Sequence, residues 1–490
     1  MGIHNFLKIK LFLFNNIGIK QTFFKNAFWL AIAEGVSRLL KLILIIYIAR
    51  ILGATEYGKF NFAFAFVALF VIFSDFGLSQ ITTREFAQDK KREKEFSAIL
   101  SLKIILSLGA LFLILISSFF ITSDPIIQKV IWILAVVALV GTFFEIIYAF
   151  FRARQKMEYE ALAKILQALI LTTIGFFVIL NYPSVENLSY GYLSAGLVAL
   201  IFILIFFNFK IFPLKFSWQK VIWRRFLMMS WPVGLALIFT TLYGYIDSVM
   251  MGYLGQITET GWYNAAYKIV GLTFIPATII YLSFYPALSI AFKKTKERLQ
   301  ELWNYQMEIM ILLAIPLVVG GITLAPRIID FIYDPSFAPS ILALQILIVM
   351  AGIVFLCNPF SQVLIISNQQ EKSCQIAFSG AIVNIILNLI LIPRFSLYGA
   401  AFAIVAAWLL MFFLFFKTVS KFTSIKPFSL RFFLIFIIAL FSSLLMYFVI
   451  SQPKIYNLNI FFLLSIGVGI YFPSFLISKK LVSQFSKIFL

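Results

Sequence analysis

The chain has 490 residues, 62% of them hydrophobic and 12% charged, and a formal net charge of +20. A water-soluble domain carries about a quarter of its residues as charges, so this composition excludes a soluble fold and makes lipid the solvent. One histidine, His4, and two cysteines, Cys357 and Cys374, exclude a disulfide framework and a thiolate metal site, so neither a metal nor a cofactor is expected.

The first residues, MGIHNFLKIKLFLFNN, are basic and apolar and lack a small-residue cleavage site. They predict an interfacial helix within a segment 1–24 and no removed signal peptide. Apolar spans of roughly 20 residues follow, the length a helix needs to cross a ~30 Å hydrocarbon core. They fall near 25–49, 60–82, 97–121, 126–150, 160–181, 190–209, 227–250, 262–290, 305–325, 338–366, 373–393, 397–417, 430–450 and 457–477. The expected fold is therefore an all-α integral membrane protein with about fourteen transmembrane helices. Open strands cannot span lipid, and a barrel would show short alternating segments.

Lys and Arg set the orientation. With the N-terminus inside, 29 of the 40 fall in cytoplasmic segments, six fall outside, and five lie within spans. That asymmetry places both termini in the cytoplasm of a cell membrane, and it accounts for the basic charge without a nucleic-acid partner. No loop exceeds roughly 20 residues, and neither G-x-x-x-x-G-K-[ST] nor GxSxG nor H-E-x-x-H occurs. Nucleotide hydrolysis by a P-loop is thereby excluded, and no enzymatic activity is expected.

One hydrophilic phrase occurs twice. RILGATEYGKFNFA at 50–63 returns as YLGQITETGWYNAA at 253–266, with one residue inserted. The phrases follow the first and seventh spans, so six spans separate them and both lie on the external side. This predicts two parallel six-helix lobes, 25–210 and 211–420, followed by two further helices and a tail in 421–490. Parallel halves around a central cavity are a transporter's architecture. Gly53 and Gly255 suit a helix end. Gly58 and Gly261, each with an aromatic close behind, suit the start of the next span at the interface. The phrase reads as a tight external turn.

The stretch YIARILGATEYGKFNFAFAFVALFVIFSDFGLSQITTREFA closely resembles the start of the polysaccharide-exporting flippases, the O-antigen and capsule precursor translocases of the multidrug/oligosaccharidyl-lipid/polysaccharide exporter superfamily. DSVMMGYLGQITETGWYNAAYKIV and NIILNLILIPRFSLYGAAFAIVAAW are similar to that family's seventh-to-eighth and eleventh-to-twelfth spans. The resemblance runs to about residue 410. It implies alternating access and a polyprenyl-pyrophosphate-linked oligosaccharide as substrate, moved from the cytoplasmic to the outer leaflet. Implied partners are an undecaprenyl-pyrophosphate-linked glycan, membrane lipids and glycan polymerase or ligase machinery.

Charges within spans are costly, at least ~2.5–3.5 kcal/mol each. The first span, WLAIAEGVSRLLKLILIIYIAR, carries Glu34, Arg38 and Lys41 on one side, about 10–16 residues in. Two readings stand side by side: a cationic cavity wall for the pyrophosphate, and a structural Glu34–Arg38 pair. The related lipid II flippases carry a Ser-Arg pair in their first span, which Ser37-Arg38 matches. Their second Arg, two turns on, is replaced here by Leu44, so the carry-over stops at Arg38. Asp75 and Lys268 complete the candidate substrate-binding set of Arg38, Lys41, Glu34, Asp75 and Lys268. Asp247 and Glu145 are candidates for ion coupling or lobe pairing. Lys103, Lys164, Glu145 and Glu308 near cytoplasmic ends are expected to snorkel to the interface. Asn384 and Asn388 read as interhelical glue. A drug or cation exporter of the same superfamily is the alternative function, and two cations against one carboxylate in the first span argue against it.

Overall fold

The structure, a computed structural model, describes residue 14 and residues 16–423, 425–427 and 430–489. The interfacial helix expected over the first residues lies almost entirely outside the described residues. Every regular element among them is helical. In hydrocarbon a backbone must satisfy its own N–H and C=O groups, and long apolar helices do this within each segment.

The chain divides into two compact units, Met1–Val249 and Met250–Leu490. The first holds α1 (Ile19–Asp75), α2 (Leu78–Gln88), α3 (Phe96–Ile121), α4 (Pro125–Ala153), α5 (Met157–Asn181), α6 (Val185–Lys210) and most of α7 (Lys220–Tyr253). The second holds α8 (Ile257–Lys294), α9 (Lys296–Ile332), α10 (Ser340–Ile366), α11 (Gln370–Phe422), α12 (Leu430–Ile450), the single turn α13 (Pro453–Tyr456) and α14 (Ile460–Phe489).

Twelve helices among the described residues are long and apolar enough to cross a membrane. Two of them absorb two expected spans each, which is how fourteen apolar segments become twelve helices. Helix α1 is interrupted at one residue, Gly53, at φ 72° and ψ 175°, leaving arms of 34 and 22 residues. Helix α11 is interrupted at Ser396, at φ 52° and ψ −134°, leaving two arms of 26 residues. Each arm is of spanning length by the ~20-residue criterion. Beyond the Ser396 break, a Cβ built on Gly399 would lie 2.3 Å from the Leu391 carbonyl oxygen. Eight residues of straight helix cover about 12 Å, so the chain turns sharply there, and only glycine fits against the opposing backbone.

The two copies of the repeated phrase share a positive-φ glycine and an asparagine hydrogen bond. Gly53 and Gly255 both sit at positive φ, 72° and 76°, a region that costs other residues energy. Eight and nine residues on, Asn61 and Asn264 are both buried. Each donates its side-chain amide to the carbonyl four residues back, Tyr57 at 2.7 Å and Thr260 at 2.9 Å. In the second unit the phrase is also braced. Ser396 Oγ donates to Gln256 Oε1 at 3.0 Å, and Gln256 Nε2 donates to the Ile392 carbonyl. Trp262 Nε1 donates to the Ser336 carbonyl at 2.7 Å.

Within the first unit, α1 packs on α3, α4 and α5, and α4 packs on α6. Its basic end is an aromatic cluster in which Phe96 and Phe150 rings stand 5.0 Å apart and Phe207 packs on both. The start of α7 is fastened there, with Trp223 Nε1 donating to the Ala98 carbonyl at 2.8 Å and Arg225 paired with Glu95. A Cβ on Gly234 would come within 2.8 Å of the Phe76 carbonyl oxygen, so α7 passes this bend at backbone distance. Within the second unit, α12 and α14 pair with each other and dock on α9.

Candidate functional site

The mid-span charges of α1 are the nucleus of a larger network. Arg38 Nε donates to Glu34 Oε2 at 3.2 Å, as the four-residue spacing predicts. The other Glu34 oxygen takes a hydrogen bond from Lys164 Nζ of α5 at 2.8 Å. Lys164 also lies 3.1 Å from Glu160, one turn back on its own helix. Arg152 of α4 grips Glu160 with two nitrogens, at 2.6 and 2.9 Å, and reaches Glu145 at 3.5 Å. The alternating charges thus run Arg38–Glu34–Lys164–Glu160–Arg152–Glu145 across three helices. Ser37 Oγ donates to the Lys164 carbonyl at 3.3 Å and fixes α5 beside α1 at this level.

Exposure differs along the chain of charges. Glu160 is fully buried, whereas Arg38 is 59% and Glu34 46% exposed at the side chain. Lys41, one turn on, is exposed and has no ion-pair partner among the described residues. It lies within electrostatic range of Glu34, Lys164, Glu145 and Arg38. Ionised groups held open in mid-span do not face hydrocarbon, where the cost is several kcal/mol each. This face of α1 therefore borders water. Four cations stand against three carboxylates, and the surplus lies at the exposed end, on Arg38 and Lys41.

Asp75 and Lys103 form a second ion pair within the first unit. Asp75 accepts from Ser79 Oγ at 2.6 Å and Ser79 N at 3.3 Å, in the first turn of α2. It is also paired with Lys103, whose side chain is fully buried. Lys103 does not snorkel as expected, because a counter-ion is at hand inside the fold. Lys164 is likewise held by carboxylates, and Glu308 is held by Lys479. Asp247 is buried near the end of the first unit and Lys268 is half-buried in the second; each has an interaction partner. Asn388 Nδ2 donates to Asn384 Oδ1 at 3.3 Å, both fully buried, one turn apart on the same helix. The structure thus gathers Glu34, Arg38, Lys41 and Glu145, and adds Lys164, Glu160 and Arg152. The i,i+4 spacing of Glu160 and Lys164 was the sequence signal for that part of the network.

The second unit contains an apolar cavity of about 320 Å³ lined by α9, α12 and α14 among others, with Pro316, Gly320, Met446, Gly467 and Tyr471 on its wall. Tyr471 Oη is tied to the Leu312 carbonyl at 2.8 Å, which holds α14 on α9 beside it.

A family model described as "Polysaccharide biosynthesis protein" matches residues 23–292, more than half of the chain. The chain belongs to that family. It is a multi-pass membrane protein, and a second model, MatE, matches residues 232–390. It is 23% identical over 396 residues to a putative O-antigen transporter of Escherichia coli strain K12, covering 78% of this chain and 93% of that one. It is 22% identical over 392 residues to a probable low-salt glycan biosynthesis flippase of Haloferax volcanii, covering 78% and 80%. Among solved structures its fold is similar to the lipid II flippase MurJ in an inward closed conformation, with a TM-score of 0.74 at 17% identity over 93% of this chain and 98% of that one. An inward-facing multidrug resistance MATE transporter gives 0.66 at 17% identity over 81% and 98%. These relatives are named as transporters and flippases.

Proposed function

We propose that this protein is a flippase for a polyprenyl-pyrophosphate-linked oligosaccharide, moving it from the cytoplasmic to the outer leaflet by alternating access. The observation that carries this reading is the water-facing surplus of positive charge on α1, at Arg38 and Lys41. A pyrophosphate brings at least two negative charges and many acceptor oxygens. A guanidinium meets them with parallel donors and an ammonium with a point charge. The family match and the names of the relatives support a glycan as cargo.

In this reading the two lobes are 25–210 and 211–420, the fourteen arms and helices each span once, and both termini are cytoplasmic in the cell membrane. The apolar cavity beside α12 and α14 suits the undecaprenyl chain, which has no polar group to satisfy. The protein joins and cleaves no glycan; its partners are the lipid-linked glycan, membrane lipids and the polymerase or ligase that consumes the product. Asp75 and Lys268 complete the substrate-binding set with Glu34, Arg38 and Lys41, and Asp247 and Glu145 suit ion coupling or lobe pairing; Glu145 is held by Arg152, a cation that a conformational change could release. The membrane potential supplies ~2.3 kcal/mol per charge per 100 mV, enough to bias such a cycle. A cation exporter of the same superfamily needs a cavity that attracts cations, which the surplus on α1 opposes.

The test is leaflet sidedness in the host. On depletion of the protein, lipid-linked oligosaccharide should accumulate shielded from a probe added to intact spheroplasts. Normal appearance of the precursor on the outer face would overturn the reading.

A further inference from the structure

The anion that sits on this cation cluster is the chain's own carboxylate. We propose that Glu34 is a resident counter-ion that the substrate's pyrophosphate displaces, and that Lys164 is a further phosphate-binding residue. The inference rests on the flippase reading above and specifies how its site chooses an anion.

The geometry separates a fixed half from a mobile half. Lys164 is shared between Glu34 at 2.8 Å and Glu160 at 3.1 Å. Glu160 is fully buried and clamped by two nitrogens of Arg152, so it keeps Lys164 in place whatever Glu34 does. Glu34 has no such anchor. Its side chain is 46% exposed, and Arg38 holds it through Nε alone. Among the described residues the two terminal nitrogens of Arg38 hold no hydrogen bond. When Glu34 swings aside, Arg38 presents its fork, Lys164 stays behind on Glu160, and Lys41 adds a third charge. With Glu34 aside, the four cations stand against Glu160 and Glu145 alone, an excess of two positive charges.

This arrangement has a use that a bare cation cluster lacks. With Glu34 in place the empty site is partly neutralised, which lowers the cost of carrying it through the membrane. An incoming anion must then outcompete a tethered carboxylate. A group with one charge gains little by the exchange, whereas a pyrophosphate spans several donors at once. Glu34 thereby becomes a threshold that selects for polyanions.

The experiment titrates the purified full-length protein in detergent with inorganic pyrophosphate and, separately, with inorganic phosphate, by calorimetry. The wild type should prefer pyrophosphate. Glu34→Gln should tighten both anions, phosphate more, by about tenfold or beyond, as loss of a like charge a few ångströms away predicts, so that the preference collapses. Lys164→Met should weaken pyrophosphate by about tenfold. Thermal melting of each variant reports folding; if Glu34→Gln does not fold, Glu34→Asp, which draws the carboxylate back from Lys164, takes its place with tightening again expected. Unchanged or weaker binding by the folded Glu34 variant, with Arg38→Met still abolishing pyrophosphate binding, overturns the counter-ion role and leaves the site standing. No anion binding by wild type or by the Glu34 variant overturns the pyrophosphate site itself, and the inference with it.

Discussion

Lys103 and Asp75 allow a quantitative test of how this fold tolerates ionised groups. Lys103 has no exposed side-chain surface and its ammonium is paired with Asp75, whose side chain is 19% exposed and also accepts from Ser79. Asp75→Asn strips a buried ammonium of its formal counter-ion, a change that costs about 3–5 kcal/mol when a buried pair is broken. Glu145 lies within electrostatic range of Lys103, so the low end, about 3 kcal/mol, is expected. Lys103→Met should cost about 2–3 kcal/mol, because Asp75 keeps its Ser79 bonds and some water. The double variant removes both charges at similar volume and should lie within about 1.5 kcal/mol of wild type. The coupling in a double-mutant cycle is then about 4 kcal/mol, far above the ~0.6 kcal/mol average of interhelical hydrogen bonds in membranes. Unfolding in mixed detergent and dodecyl sulfate micelles measures each corner of the cycle. Additive single effects, with coupling below about 1 kcal/mol, would refute the claim that the two charges exist for each other.

Other expectations follow from the same structure. Arg38→Ala should abolish glycan-lipid export while the protein still inserts and melts as wild type, which leaflet-sidedness and melting assays together report. Gly53→Ala meets no neighbour within 4 Å, so its expected cost of about 1–3 kcal/mol comes from the positive φ alone. Gly109→Ala, a helical glycine with open space around it, should instead gain up to about 1 kcal/mol in the same melting series. Gln362 is fully buried, accepting from Gln306 at 2.6 Å and donating to the Tyr281 carbonyl at 2.7 Å. Gln362→Leu should therefore cost about 1–3 kcal/mol by stranding those partners, and Gln306→Leu/Gln362→Leu should recover part of it.

What could be read from the sequence was what is local. Apolar length found the helices, and the four-residue spacing found the Glu34–Arg38 pair. The doubled Leu-Gly phrase found two glycines that share a positive φ. Hydropathy does not report dihedral angles, so it could not show that two of the expected turns are single-residue breaks inside continuous helices. Nor does it report which helices are neighbours. Lys164 meets Glu34 across 130 residues and Lys103 meets Asp75 across 28, so both lysines read as interfacial when each helix is taken alone. Their real partners depend on helix packing, in which Ser37, a small residue, lets α5 approach α1.

The doubled turn bears on how such a chain can change over generations. Its two copies share a positive-φ glycine and the asparagine-to-carbonyl bond, while the side chains around them differ. Lys59 in the first copy pairs with Glu56, and Trp262 at the matching place in the second donates to the Ser336 carbonyl. One glycine–asparagine pattern thus serves two settings, a break inside α1 and the turn between α7 and α8, with different decoration in each. The segment is thus a reusable corner, one in which a glycine frees the backbone, an asparagine ties down the turn that follows, and the surface can be rewritten wherever it is set down.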